Sequence, residues 1–153
     1  MTASISVEVL TVDELRPVIA DHFGSVRNFT SGPPPADPGV YVWSADRGVL
    51  YIGKAAALTQ RIGYEASLIS AHDPVSAWQV SVIHMLKVHS ATVEWMTTTD
   101  LADAELLERR LIEWHRTCVG MAPLVVGWEA KPNSPRKAAE LWAQELWRKR
   151  QQQ

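Results

Sequence analysis

The feature that most constrains the fold is a pair of short apolar runs around a turn, GVYVWSADRGVLYIG at residues 39–53. β-Branched and aromatic residues dominate both runs and glycines flank them, which is typical of an antiparallel hairpin. The predicted strands, 39–43 and 49–53, pair Trp43 with Val49, Tyr41 with Tyr51 and Gly39 with Gly53. The segment therefore predicts one hairpin of an antiparallel sheet.

The predicted register places the side chains of Tyr41 and Tyr51 beside each other on one face, with Cβ atoms roughly 5 Å apart. The opposite face is apolar and is expected to face the core, and it comprises Val40, Val42, Leu50 and Ile52. One face would build the fold while the other presents two phenols. The alternative is an ordinary hairpin whose tyrosines cover the edge of a core.

Two cations follow the hairpin, Lys54 just past the second strand and Arg61 on a predicted short helix. Helical spacing puts Arg61 on the same side as Leu58 and Ile62, which can anchor the helix while the guanidinium reaches toward the tyrosine face. Two hydroxyl donors and two cations around one concavity suit a phosphate better than a neutral ligand.

The remaining patterns predict helices and further strands around this hairpin. Residues 31–39, SGPPPADPG, separate it from the N-terminal region, because consecutive prolines cannot continue a helix or an inner strand. The predicted elements are a strand at 4–10, helices at 11–23, 57–70 and 72–90, a strand at 91–99, a helix at 101–117 capped by Asp100, and a helix at about 135–150 capped by Ser134. The apolar side of the helix at 72–90 is expected to carry Val75, Trp78, Val82, Met85 and Leu86.

The fold class is predicted as α+β, a small three-stranded antiparallel sheet flanked by helices. At 153 residues, 46% of them hydrophobic, one domain is expected over 1–153. It would comprise an N-terminal strand-helix extension at 1–36, a core at 39–125 and a C-terminal amphipathic helix at 134–150. No apolar run reaches the length of a membrane span, and the N-terminus lacks a secretory signal pattern, so a cytoplasmic location is expected.

GVY at 39–41 is followed by YIGKA at 51–55 and then by Leu58 and Arg61, and a later helix, AELLERRLIEWHR, carries Glu108. This order of motifs resembles the GIY-YIG endonuclease superfamily, which has a glutamate in the place of Glu108. The resemblance covers about residues 39–125. It implies a divalent-metal-dependent DNA endonuclease that hydrolyses phosphodiester bonds.

Helix geometry supports Glu108 as a site residue. The carboxylate shares a mostly apolar stripe with Ala104, Leu111, Ile112 and His115, whereas Glu105, Arg109 and Glu113 occupy the polar face. A buried carboxylate usually pairs with a cation, and Mg²⁺ often takes only one or two carboxylates besides waters and phosphate oxygens. The alternative is a salt bridge within the helix or in the core, for example to Arg61 or Lys54.

The resemblance also implies a role for each residue of the site. Tyr41 would orient or deprotonate the attacking water, with Lys54 favouring the phenolate, and Tyr51 would complete the pocket by hydrogen bonding. Arg61 would neutralise charge on the phosphoryl oxygens, and Glu108 would hold one Mg²⁺, or Mn²⁺ in its place. Tyr64 and His72 are expected as auxiliary groups, with surface or packing roles as the alternative.

One position departs from the family pattern. Where the family has an asparagine after a proline-containing turn, this chain has Val125, which cannot supply an amide. No geometric argument places the amide of Asn28 or Asn133 in the position of the family's asparagine. A catalytically silent module that binds DNA or a protein partner is therefore the alternative function.

DNA is the expected partner and no membrane partner is expected, although a net charge of −2 weighs against broad affinity for nucleic acid. Basic residues gather in ERRLIEWHR, SPRK and WRKRQQQ, so any contact surface must be a local patch. A homodimer and a protein partner stay open. Trp142 and Trp147 on the basic terminal helix are candidates to dock on the domain, to pair with a second copy or to touch nucleic acid.

Overall fold

The computed structural model describes residues 10–46, 48–70, 73–123 and 134–152. Its α-helices are α1 (Arg16–Phe23), α2 (Leu58–Ser67), α3 (Ala77–Val88), α4 (Leu101–Val119) and α5 (Ser134–Gln151), and its strands are β1 (Gly39–Ala45), β2 (Gly48–Ala55) and β3 (Thr92–Thr97). Short 3₁₀ turns precede α1, at Val12–Leu15, and follow α2, at Leu68–Ser70. The predicted strand at 4–10 lies, apart from Leu10, outside the described residues.

The three strands form one antiparallel sheet in the order β2-β1-β3, with helices on both sides, which confirms the predicted α+β class. The predicted cap of the long helix is also confirmed, because Asp100 Oδ1 accepts a hydrogen bond from the backbone N–H of Asp103 at 2.8 Å. No helix within the described ranges is long and apolar enough to cross a membrane.

The predicted hairpin register is wrong by two residues. Tyr41 lies opposite Gly53, Trp43 opposite Tyr51, and Gly39 opposite Ala55. The strands extend to Ala45 and Gly48, so the turn is shorter than predicted, and a β-bulge at Trp43/Ser44 accommodates the extra residue.

The bulge also changes which side chains share a face. An even shift preserves the faces, so Tyr41 and Tyr51 remain on one side as predicted, with ring centroids 5.9 Å apart. Beyond the bulge the alternation is reversed. Leu50 therefore packs with the tyrosines instead of the opposite core, where Val49 takes its place.

Both faces of the hairpin are buried, which contradicts the predicted open tyrosine face. On one face Val40, Val42 and Ile52 pack beneath α4 together with residues of α1. On the other face α2 and α3 cover the tyrosines, leaving Tyr41 0% and Tyr51 4% exposed. The hairpin is enclosed because β3 and α3, which follow it in the chain, complete the second core.

The C-terminal helix docks on the domain, the first of its three expected roles. α5 packs along α4, Ala143 is fully buried, and Trp142 Nε1 donates to Asp21 Oδ2 at 3.1 Å. The prediction that Glu113 lies on the polar face of the long helix is wrong, because Glu113 is only 2% exposed. Its carboxylate meets Arg136 of α5 at 3.3 Å, so the neighbouring helix covers that side of α4.

The helix at 72–90 begins later than predicted. Ser76 is its N-cap, and the side-chain oxygen accepts from the N–H of Gln79 at 3.1 Å. Val75 therefore precedes the helix and is exposed, whereas Val82, Met85 and Leu86 are buried as expected.

Candidate active site

A cavity of about 590 Å³ opens at the end of the hairpin, where β2, α2 and α4 meet. Its polar and charged lining comprises Lys54 from β2, Gln60, Arg61 and Tyr64 from α2, and Glu105 and Glu108 from α4. Four of the residues predicted for the site, Lys54, Arg61, Tyr64 and Glu108, are thus brought to one place. Tyr41 and Tyr51 do not line this cavity among the described residues and lie behind Arg61.

Lys54 lies within β2 instead of beyond it, because the strand runs on to Ala55. It is two residues from Ile52 and so lies on the sheet face that packs against α4, opposite the tyrosines. Its Nζ forms an ion pair with Glu105 Oε1 at 3.2 Å. This placement therefore does not support the prediction that Lys54 acts directly on the Tyr41 phenol.

Arg61 reaches the tyrosine face as predicted. Buried Leu58 and Ile62 anchor α2, and Nε of Arg61 donates to Tyr41 Oη at 3.3 Å and to Glu65 Oε2 at 3.0 Å. The guanidinium carbon lies 5.1 Å from the ring centroid of Trp78 on α3, a cation–π contact. Arg61 therefore joins the buried tyrosine face to the open cavity.

Glu65 is a member of the site that the sequence interpretation missed. It is fully buried and accepts hydrogen bonds from Tyr41 Oη, from Trp43 Nε1 at 3.0 Å and from Arg61 Nε. The signal was present, since residue 65 falls on the same helix side as Leu58 and Ile62 and follows Arg61 by four residues. The reasoning that selected Glu108, a carboxylate on an apolar stripe, applies equally to Glu65.

The Tyr41 phenol is held in its protonated form. Burial, and then the negative charge of Glu65 beside it, raise the pKa of Tyr41 well above its ordinary value. Burial likewise raises the pKa of Glu65, although the hydrogen bond from Tyr41 and the charge of Arg61 act in the opposite direction. Tyr41 is thus a hydrogen-bond donor in this arrangement and a poor base at neutral pH.

Glu108 lies where a hard cation could be bound. It is 2% exposed, as the apolar stripe predicted, and it lines the same cavity as Lys54 and Arg61. In the described ranges no group of three or more His, Cys, Asp or Glu side chains comes together as a metal cluster. The cavity offers two carboxylates, Glu108 and Glu105, and Glu105 is paired with Lys54. So small a set of protein ligands fits Mg²⁺, which retains waters and binds phosphate oxygens, and does not fit an ion that the protein alone must coordinate.

The remaining predicted residues have less defined places. Tyr64 is 43% exposed at the cavity rim, and its Oη accepts from Gln79 Nε2 at 3.0 Å. His72 and Val125 lie outside the described residues, as does Asn133.

Comparison with known proteins places the chain in a family. The model of the UvrC-like GIY-YIG domain matches residues 37–117. Two curated relatives, the proteins named UvrABC system protein C of Nitratidesulfovibrio vulgaris and Oleidesulfovibrio alaskensis, are 36% and 39% identical over 83 residues. These alignments cover 54% of this chain and 11% of each relative, so the chain spans about a tenth of their length.

Among solved structures, the GIY-YIG N-terminal endonuclease domain of UvrC from Thermotoga maritima, bound to magnesium, is similar with a TM-score of 0.44 and 23% identity. That alignment covers 61% of this chain and 88% of the solved domain. The family model, in contrast, spans more than half of the 153 residues and includes the hairpin, Arg61 and Glu108. The resemblance expected from the motifs is confirmed, and the chain belongs to the UvrC-like GIY-YIG family.

Proposed function

We propose that this protein is an endonuclease that hydrolyses phosphodiester bonds in DNA with the help of a divalent metal ion, Mg²⁺ or Mn²⁺. The observation that carries the proposal is the cavity at the end of the hairpin. It combines two cations, Lys54 and Arg61, with the nearly buried carboxylate of Glu108. Family membership and the relatives' name, UvrABC system protein C, support the same reaction class.

The two cations would act on the substrate phosphate. Arg61 presents a planar guanidinium that can bind two phosphoryl oxygens at once, and it is fixed on one side by Glu65. Lys54 contributes a second charge from β2, where Glu105 holds its ammonium group at the cavity wall. Together they would bind and orient the phosphodiester and offset the negative charge that develops as the bond breaks.

Glu108 would hold the metal ion. When bound, a divalent cation supplies Lewis-acid stabilisation of charge on the phosphate oxygens. The apolar stripe of α4 fixes the carboxylate at the inner wall of the cavity, with α2 facing it.

Tyr41 would act as a neutral donor in this reaction. The phenol of Tyr41 donates to Glu65, and burial and that carboxylate raise its pKa. We therefore assign Tyr41 the role of orienting Arg61 and not that of removing a proton from water. Tyr51 would support Tyr41 through ring packing. Tyr64, which lines the cavity, would be the auxiliary group that contacts the substrate.

The proposal is tested by incubating the protein with labelled single-stranded, duplex, nicked and branched DNA, in Mg²⁺, Mn²⁺ or EDTA, beside Glu108→Ala. Metal-dependent cleavage by the wild type and not by the variant is the expected result. DNA binding without cleavage in any metal would favour the silent binding module instead. Loss of both binding and cleavage, in a folded protein, would point to a protein partner.

A further inference from the structure

Glu65 is a fully buried carboxylate that the proposed reaction does not use directly. It lies on α2, one helical turn beyond Arg61, and faces β1. Removing such a group from water is costly unless donors surround it. Its cost is offset here by three donors, of which Tyr41 and Trp43 belong to the core and Arg61 lines the cavity.

Both carboxylate oxygens are engaged. Oε1 accepts from Trp43 Nε1 at 3.0 Å, and Oε2 accepts from Tyr41 Oη and from Arg61 Nε at 3.0 Å. Trp43 and Tyr41 belong to the central strand of the sheet, so their positions are fixed by pairing on both sides. Glu65 thus joins the central strand of the sheet to the long side chain of Arg61.

The guanidinium group of Arg61 makes two kinds of contact, hydrogen bonds from Nε and cation–π contacts with two rings. Nε faces the buried carboxylate and phenol, while the rings of Trp78 and Tyr64 lie 5.1 and 5.8 Å from the guanidinium carbon. Across the residues that the structure describes, the hydrogen bonds of this guanidinium all start from Nε. Arg61 also lines the cavity, so its side chain lies between the buried carboxylate of Glu65 and the open space.

We propose that Glu65 is a positioning residue, which holds Nε of Arg61 and the hydroxyl of Tyr41 so that the terminal nitrogens of Arg61 are directed at the substrate phosphate. The inference rests on the proposed nuclease function and adds to it a residue outside the motifs that define the resemblance. A misplacement of about 1 Å can reduce a reaction rate up to about 100-fold, so the effect of losing Glu65 is measurable.

The alternative is that Glu65 only stabilises the fold. Glu113 provides a matched control, because it is another carboxylate that is 2% exposed and it pairs with Arg116 and Arg136 through Oε1. Glu65→Gln and Glu113→Gln each remove one buried charge while keeping the shape of the side chain. Only the first is in contact with Arg61.

The first arm of the experiment is a double-mutant cycle on single-turnover DNA cleavage. Glu65→Gln is expected to slow cleavage about 10- to 100-fold at a urea midpoint similar to that of Glu113→Gln, which should cleave at the wild-type rate. In an Arg61→Ala background, Glu65→Gln should cause no further loss. Equal effects of Glu65→Gln with and without Arg61 would overturn the proposal.

The second arm does not depend on cleavage. In a proton–nitrogen NMR spectrum the Nε–H signal of Arg61, assigned by its disappearance in Arg61→Ala, is expected to exchange slowly with water and to shift in Glu65→Gln but not in Glu113→Gln. An Nε–H signal that Glu65→Gln leaves unchanged would overturn the positioning role. A wild-type protein that cleaves no DNA would overturn the proposed function alone, and the NMR result would still decide the role of Glu65.

Discussion

Gly53 is where the geometry of the hairpin can be tested most sharply. It lies in β2 directly opposite Tyr41, and the phenol ring passes over it. A Cβ added at Gly53 would lie 2.4 Å from both Cζ and Oη of Tyr41 and 2.8 Å from Cε1 of Tyr51. Ordinary contacts between carbon atoms are about 3.5–4.0 Å, so the overlap with Tyr41 exceeds about 1 Å.

Neither tyrosine has room to withdraw. Tyr41 is 0% exposed and its hydroxyl is bonded to Glu65, while Tyr51 packs against Tyr41 and Trp78. Forcing an extra methyl group into a packed core costs about 1–3 kcal/mol. We therefore expect Gly53→Ala to lower the free energy of unfolding by about that amount and to displace Tyr41 from Glu65.

Gly63 supplies the matched control for this substitution. It lies inside α2, and a Cβ built there has no heavy atom within 4 Å. Because alanine favours a helix over glycine by about 0.5–1 kcal/mol, Gly63→Ala should stabilise the protein by roughly that amount. Urea denaturation monitored by tryptophan fluorescence should thus separate the two variants by about 1.5–4 kcal/mol. A Gly53→Ala protein as stable as the wild type would refute the close approach of Tyr41 to Gly53.

Three further predictions concern other parts of the molecule. Burial raises the pKa of the Cys118 thiol to about 11 from 9.0, so iodoacetamide at pH 8 should modify the native protein about 100-fold more slowly than the urea-unfolded chain. Burial lowers the pKa of His115, whose Nδ1 donates to the carbonyl of Met121, so the unfolded chain binds the proton more readily. Stability should therefore fall as the pH drops below about 6.5, and urea unfolding at pH 7.5 and 5.5 should show a smaller fall for His115→Asn. Asp100→Ala removes the cap that accepts from the N–H of Asp103 and should cost about 0.5–2 kcal/mol in the same assay, whereas no change would show that the cap is replaced by water.

The parts of the fold that follow from local pattern could be predicted from the sequence. Helical spacing predicts the long helix, the buried side of Glu108 and the side of α2 from which Arg61 reaches the tyrosines. The residue type at position 100 predicts the cap. The shared face of Tyr41 and Tyr51 was also predictable, because an even shift in register preserves it.

The rest depends on contacts between segments that are distant in the chain. The bulge at Trp43/Ser44 changes the pairing on its two sides, and no residue of SADRG signals it, so the register could not be read from the turn sequence. The tyrosine face is covered by α3, and Glu113 is buried by α5. The sequence around the tyrosines and around Glu113 does not indicate which distant helix covers them. Glu65 differs, because its spacing from Arg61 was visible in the sequence.

The most direct test of the central claim is a comparison of single-turnover DNA cleavage in Mg²⁺ by the wild type and Glu108→Gln, with urea unfolding measured on the same samples. The account predicts that the variant unfolds at a urea concentration close to that of the wild type and cleaves at least about 100-fold more slowly, because the carboxylate proposed to hold the metal has lost its charge. Cleavage by Glu108→Gln at the wild-type rate would contradict the assignment of the active site to this cavity.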